Sequence, residues 1–137
     1  MQKGLVIIVN AQDIQSMIDE TEYWDVNILD FKTAFFGDEA FLYIYNDVTS
    51  CWQVCFSSCY EVKYHTDADR RKISSVKNMR KSQLGYYGQS ITVTDADVVG
   101  FYKITIDISI MNLEITCKNV KIEKVEVSSV DLFWMNS

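Results

Sequence analysis

No proline occurs in the 137 residues, and only five are glycine. That scarcity excludes Pro- or Gly-rich linkers and low-complexity segments of that kind. Long apolar runs are missing as well. None approaches the roughly 18–20 residues that a membrane span requires. Leu5-Val-Ile-Ile-Val9 is only five residues long and is followed at once by Asn10, Gln12 and Asp13. No small-residue cleavage site follows it, so it does not read as a signal peptide. The expected address is cytoplasmic, without membrane association. Catalytic signatures are absent too: there is no Gly-x-Ser-x-Gly, no phosphate-cradling glycine loop and no His-Glu-x-x-His.

Cysteine is sparse, with four residues. Cys51, Cys55 and Cys59 recur every fourth position in a segment rich in aromatic and β-branched residues, which reads as strand. At about 3.3 Å per residue, neighbours in that series lie roughly 13 Å apart, too far to share one metal. Buried, reduced thiols are the expectation, and no cofactor is implied.

What is present is a core. With 48% apolar and 13% aromatic residues, the chain has the material for one folded unit spanning 1–137. Its charge is divided unevenly. The net value is −6, yet residues 1–50 carry nine carboxylates against Lys3 and Lys32 alone. Lys63, Arg70, Arg71, Lys72, Lys77, Arg80 and Lys81 hold seven of the thirteen basic side chains. Clustered charge of one sign steers a partner of the other.

Strand patterning dominates. Ile104, Ile106, Ile108 and Ile110 alternate with Thr105, Asp107 and Ser109, giving one apolar and one wet face. Met111-Asn112 then reads as a turn into Leu113, Ile115 and Cys117. A break at Lys118-Asn119 precedes Val120 and Ile122, with another irregularity near Lys124 and a final strand at Val130 to Trp134. Earlier strands are expected at Trp24–Phe31, Ala40–Tyr45, Trp52–Phe56 and Tyr60–Tyr64, followed by Gln89–Thr94. Gly37-Asp38-Glu39 and Asn46-Asp47 read as turns.

Two stretches read as helical. Ala11–Glu20 places Ile14, Met17 and Ile18 at helical spacing behind Asn10 as N-cap. Ala68–Ser82 has only a thin apolar side of Ile73, Val76 and Met79, so it is a short helix or a loose excursion from the sheet. The expected architecture is therefore mainly β: an antiparallel sandwich or partly open barrel, with a short N-terminal helix and a polar insertion near 66–82.

Three constellations carry possible function. His65, beside Asp67 and Asp69, would be the centre of a small hydrolase, although a lone histidine at a strand end is most often a solvated turn residue. The basic island, if helical, gathers Arg70, Lys77 and Lys81 on one face. A net charge of −6 and a pI near 4.7 oppose its use on nucleic acid. Asp19-Glu20-Thr21-Glu22-Tyr23-Trp24-Asp25 sets four carboxylates around two aromatic residues, as protein-binding hot spots do. Asp19, Glu20, Glu22, Tyr23, Trp24 and Asp25 are thus the expected contact set, with no metal and no catalytic residues.

The order of parts carries a resemblance. A short N-terminal helix precedes Trp24-Asp-Val-Asn-Ile28, then Trp52-Gln-Val-Cys-Phe56, a polar insertion and a late β-ladder. This resembles the small β-rich immunity proteins of bacterial polymorphic toxin systems, with Trp24 where that pattern often carries histidine. The resemblance implies a non-catalytic cytoplasmic protein that binds a cognate toxin of the same locus. Many such toxins are basic, which suits an acidic surface. The alternative from the aromatic content is a β-barrel or sandwich holding a small apolar ligand, which requires a sizeable internal pocket.

Overall fold

The computed structural model describes residues 10–71, 73 and 75–136; the Leu5–Val9 run and Lys72 lie outside them. A helix, α1 (Ala11–Asp19), is followed by six strands: β1 (Ile28–Ala34), β2 (Glu39–Tyr45), β3 (Ser50–Thr66), β4 (Gly88–Asp95), β5 (Tyr102–Ile108) and β6 (Met111–Glu126). They form one antiparallel sheet in the order β1-β2-β3-β6-β5-β4. The mainly β expectation holds, with a single sheet in place of a sandwich. The sheet is not closed into a barrel: among the described residues, isolated bridges link the segments leading into its two outer strands, Trp24 with Gly88 and Asn27 with Tyr87.

Alternation builds the principal core. Ile104, Ile106 and Ile108 of β5 are buried while Thr105 and Asp107 are exposed, as the period of two dictates. They pack with Leu42 and Ile44 of β2, Val54 and Phe56 of β3, Ile91 of β4, Leu113 and Ile115 of β6, and Ile14 and Ile18 of α1. Each such side chain removed from water contributes about 1.5–3 kcal/mol. Across β2 the odd positions serve the other face. Tyr43 joins Leu29, Cys51 and Leu132 in a second cluster, flanked by Phe41, Tyr45, Val130 and Trp134.

Several boundaries differ from the sequence reading. The two strands expected at 52–56 and 60–64 are one, β3, and the breaks expected in the late ladder are bridged by continuous β6. The irregularity sits in β3: Ser58 has φ 53° and the register shifts between Cys59 and Glu61. That bulge lets a 17-residue strand bend and still pair along its length with β6. The turn is Ser109-Ile110, not Met111-Asn112. No final strand forms at 130–134. The C-terminal segment instead makes 3-10 turns at Val127–Ser129 and Phe133–Asn136 and lies over the second cluster. The Trp134 indole N–H donates to the Leu29 carbonyl at 3.0 Å, and Lys32 Nζ donates to the Asp131 carbonyl.

The polar insertion is the loose excursion, not a helix. Its described residues make three-residue 3-10 turns at Ala68–Arg70, Val76–Asn78 and Lys81–Gln83. The thin apolar side cannot drive a continuous helix, so Met79 is buried alone while Ile73 and Val76 are half-buried. The helical face of Arg70, Lys77 and Lys81 therefore does not exist. Lys81 lies 5.3 Å over the Tyr45 ring and 5.8 Å over Trp134, holding the excursion to the second cluster.

Candidate functional site

The acidic and aromatic segment is positioned by α1. Asn10 caps the helix: its side chain accepts the Asp13 N–H at 2.8 Å, and the Asp13 carboxylate accepts the Asn10 N–H at 3.2 Å. Ile14 and Ile18 face the core, so Gln15 falls against the free edge of β4. The Gln15 amide then imitates a neighbouring strand. It accepts from Val93 N–H and donates to the Ile91 carbonyl, both at 2.8 Å, and also donates to Asp19 Oδ1 at 3.0 Å. Two backbone groups on the edge of the open sheet are thereby satisfied, which blunts that edge as a template for another strand.

Tyr23 continues that cap. It is 2% exposed, and its hydroxyl accepts the Ile91 N–H at 3.0 Å. Burial raises its pKa, against the lowering effect of the Ile91 hydrogen bond. Trp24 stacks on the Tyr23 ring with centroids 4.2 Å apart and stands 47% exposed. The pair is flanked by left-handed backbone at Glu22 (φ 53°) and Asp25 (φ 63°). Conformations of this kind in non-glycine residues cost of order 1–3 kcal/mol and persist where surrounding contacts over-determine them. Here Asp25 N–H donates to Gly88 O at 2.8 Å, and Gly88 N–H donates to Val26 O at 3.0 Å.

The six expected contact residues therefore divide. Glu20, Glu22, Trp24 and Asp25 are exposed together on one short stretch. Asp19 is half-buried and held by Gln15, and Tyr23 is a core residue that supports Trp24 from beneath. Gln15 and Gly88 carry the site without having been singled out in the sequence. A glutamine on a helix gives no sign of which strand it will meet. Gly88 is required because a Cβ there would stand 2.3 Å from the Tyr23 carbonyl oxygen.

His65 is the penultimate residue of β3, exposed and paired with Asn112. Asp67 and Asp107 line the adjacent hollow, but Asp67 is ion-paired with Arg70 at 3.6 Å. The Ser109 hydroxyl there is engaged with the backbone of Tyr87. Among the described residues no group of three His, Cys, Asp or Glu side chains is arranged to hold a metal. No helix among them is long and apolar enough to cross a membrane. An apolar hollow of about 190 Å³, lined by Ile28, Leu84, Tyr86, Ile108 and Met111 among others, lies beneath the excursion. It is smaller than the roughly 300–1,000 Å³ typical of ligand pockets, whereas an open hollow of about 470 Å³ lined by Arg70, Ile73, Met79, Leu84 and Ile110 falls within that range. The four thiols are free, with Cys51 and Cys117 buried.

Residues 10–124 match the family model described as Immunity protein PIM7. The chain belongs to that family. The match begins at the Asn10 cap and runs through α1, the Trp24 segment and all but the last two residues of β6. The resemblance drawn from the sequence to immunity proteins is thus borne out. Among solved structures the chain is similar to an uncharacterized protein from Neisseria gonorrhoeae, with 15% identity and a TM-score of 0.48, over 74% of this chain and 92% of that one. A search of curated proteins found no match.

Proposed function

We propose that this PIM7 immunity protein acts in the cytoplasm of the producing cell and neutralises a cognate toxin by binding it directly, without catalysis. Family membership carries the reading. The contact surface in this proposal is Glu20, Glu22, Trp24 and Asp25, with Asp19 and Tyr23 fixing their positions from behind. Two features support it. A tryptophan with nearly half its surface in water sits among three exposed carboxylates, and rigid aromatic anchors ringed by charge dominate many interfaces. The backbone beneath that tryptophan is strained on both sides and held by the Gly88 bridge, so the anchor is pre-organised.

The partner on this reading is a basic toxin domain. Reversing two rim charges in Glu20→Lys/Glu22→Lys should slow association with the toxin domain of the same locus by about tenfold at low salt, and flatten its salt dependence. Trp24→Ala should act mainly on dissociation, since a buried anchor sets residence time. Rates identical to wild type for both variants would remove the surface from the account.

A further inference from the structure

The strongest unexplained feature lies away from Trp24, halfway along the β3–β6 ladder. Two short hairpins flank that ladder in opposite halves: β1–β2 pairs with the first part of β3, and β4–β5 with the first part of β6. Their turns meet at the β3 bulge. At the first turn Phe35 and Phe36 are consecutive left-handed residues, φ 54° and 58°, followed by Gly37 at φ 89°. Phe35 is 72% exposed and Phe36 is fully exposed. A bulky residue with positive φ is an outlier, and two in succession project both rings into solvent where a strand would have turned one inward. Tyr60, 68% exposed, stands on the bulge and meets the Phe101 ring edge-to-face at 5.8 Å. Val99, at the tip of the second turn, is 95% exposed.

The charge around this aromatic crest is mixed but mostly negative. Phe35, Phe36, Tyr60 and Val62 line a surface hollow with Asp38 and Glu61, and no basic side chain lines it. Nearby, Lys63 reaches Glu61 at 3.7 Å but lies closer to Glu114 at 3.1 Å, and Lys118 lies 5.4 Å over Phe101. Glu39 is the next carboxylate along the chain, at the start of β2.

Resting on the toxin-binding reading, we propose that this crest is a second anchor of the toxin interface, in addition to Trp24: Phe35, Phe36 and Tyr60 enter an apolar pocket on the toxin whose rim carries arginine or lysine facing Asp38 and Glu61. Exposed contiguous aromatic surface marks interaction sites. The carboxylate rim selects a basic partner over a second copy of this acidic chain. Large rings projecting from a strained, fixed turn bind with little ordering cost.

The test uses the full chain and the toxin domain of the same locus, by surface-immobilised kinetics. Phe35→Asn/Phe36→Asn keeps residues that tolerate positive φ, and Tyr60→Ser tests the crest from β3 if the double variant melts early. The expected result is dissociation faster by about thirtyfold or more, with an unchanged melting temperature. Asp38→Lys/Glu61→Lys should instead slow association. Wild-type kinetics for the crest variants, with weakening in Glu20→Lys/Glu22→Lys, would overturn the crest and leave the proposed function standing. Absence of any wild-type complex would overturn both. A dimer in sedimentation that Phe35→Asn/Phe36→Asn dissolves, with toxin binding intact, would make the occupant a second copy and refute the proposal.

Discussion

Replacing Gln15 with alanine removes a side chain that acts as a seventh strand at a single position. Three hydrogen bonds are lost: Val93 N–H to Oε1 and Nε2–H to the Ile91 carbonyl, both 2.8 Å long, and Nε2–H to Asp19 Oδ1 at 3.0 Å. A typical intramolecular hydrogen bond contributes about 0.5–1.5 kcal/mol net, and a buried group left unpaired costs about 1–3 kcal/mol. Gln15 is half-buried, so water reaches part of the vacated edge and the lower values apply. Alanine is also the better helix former by a few tenths of a kcal/mol, which offsets a little of the loss. The expected destabilisation is about 1–3 kcal/mol. At about 4 °C per kcal/mol for a chain of this size, the melting temperature should fall by roughly 4–12 °C. Gln12→Ala, on the exposed side of α1, is the control and should change stability by less than about 0.5 kcal/mol. Calorimetry gives the melting temperatures, and amide exchange locates the effect, with the Val93 N–H losing protection ahead of the Ile104 N–H on the neighbouring strand. A Gln15→Ala melting temperature within a degree of wild type, or unaltered Val93 exchange, would refute the idea that this amide blunts the sheet edge.

Gly88→Ala should destabilise by about 2 kcal/mol or more, because its Cβ meets the Tyr23 carbonyl, and should shift the Trp24 fluorescence maximum. Asp30 has its pKa raised chiefly by burial, so its charged form is disfavoured in the fold, a cost that appears as pH rises through the unfolded value and persists at neutrality. Asp30→Asn should therefore gain stability relative to wild type at pH 7 and lose that advantage near pH 3, as read by denaturant midpoints at the two pH values. Among the four thiols, Cys59 is held below its ordinary pKa by a hydrogen bond from Cys117, whereas Cys117, Cys51 and Cys55 are pushed up, Cys117 most. Timed alkylation with peptide mapping should label Cys59 first and Cys117 last.

Legibility in the sequence followed from how local each cause is. The period-two isoleucines of β5 declare their buried face directly, and the capping box at Asn10 lies within four residues, so both were readable. The continuity of β3 was not, because a bulge at Ser58–Glu61 changes phase in a way that looks like a strand end, and the polar Lys118-Asn119 step inside β6 reads as a break. The segment at Val130–Trp134 has strand composition. Its turns follow from anchors on β1, where Leu29 and Lys32 bond to it, and no local pattern encodes those partners. Likewise, Tyr23 and Trp24 are adjacent aromatics of equal promise, yet one is buried and the other exposed. The division is made by Ile91 and Gly88, more than sixty residues away. The turn signal at Gly37-Asp38-Glu39 was visible, but the left-handed backbone just before it, which exposes Phe35 and Phe36, was not.

Neutralisation by stoichiometric binding is checked by titrating this protein into its cognate toxin domain while following the toxin's activity. Stoichiometric binding gives a linear fall to zero at one equivalent, with a one-to-one complex in sedimentation at the same endpoint. Loss of activity at a small fraction of an equivalent, or without any complex, would contradict it and indicate catalysis.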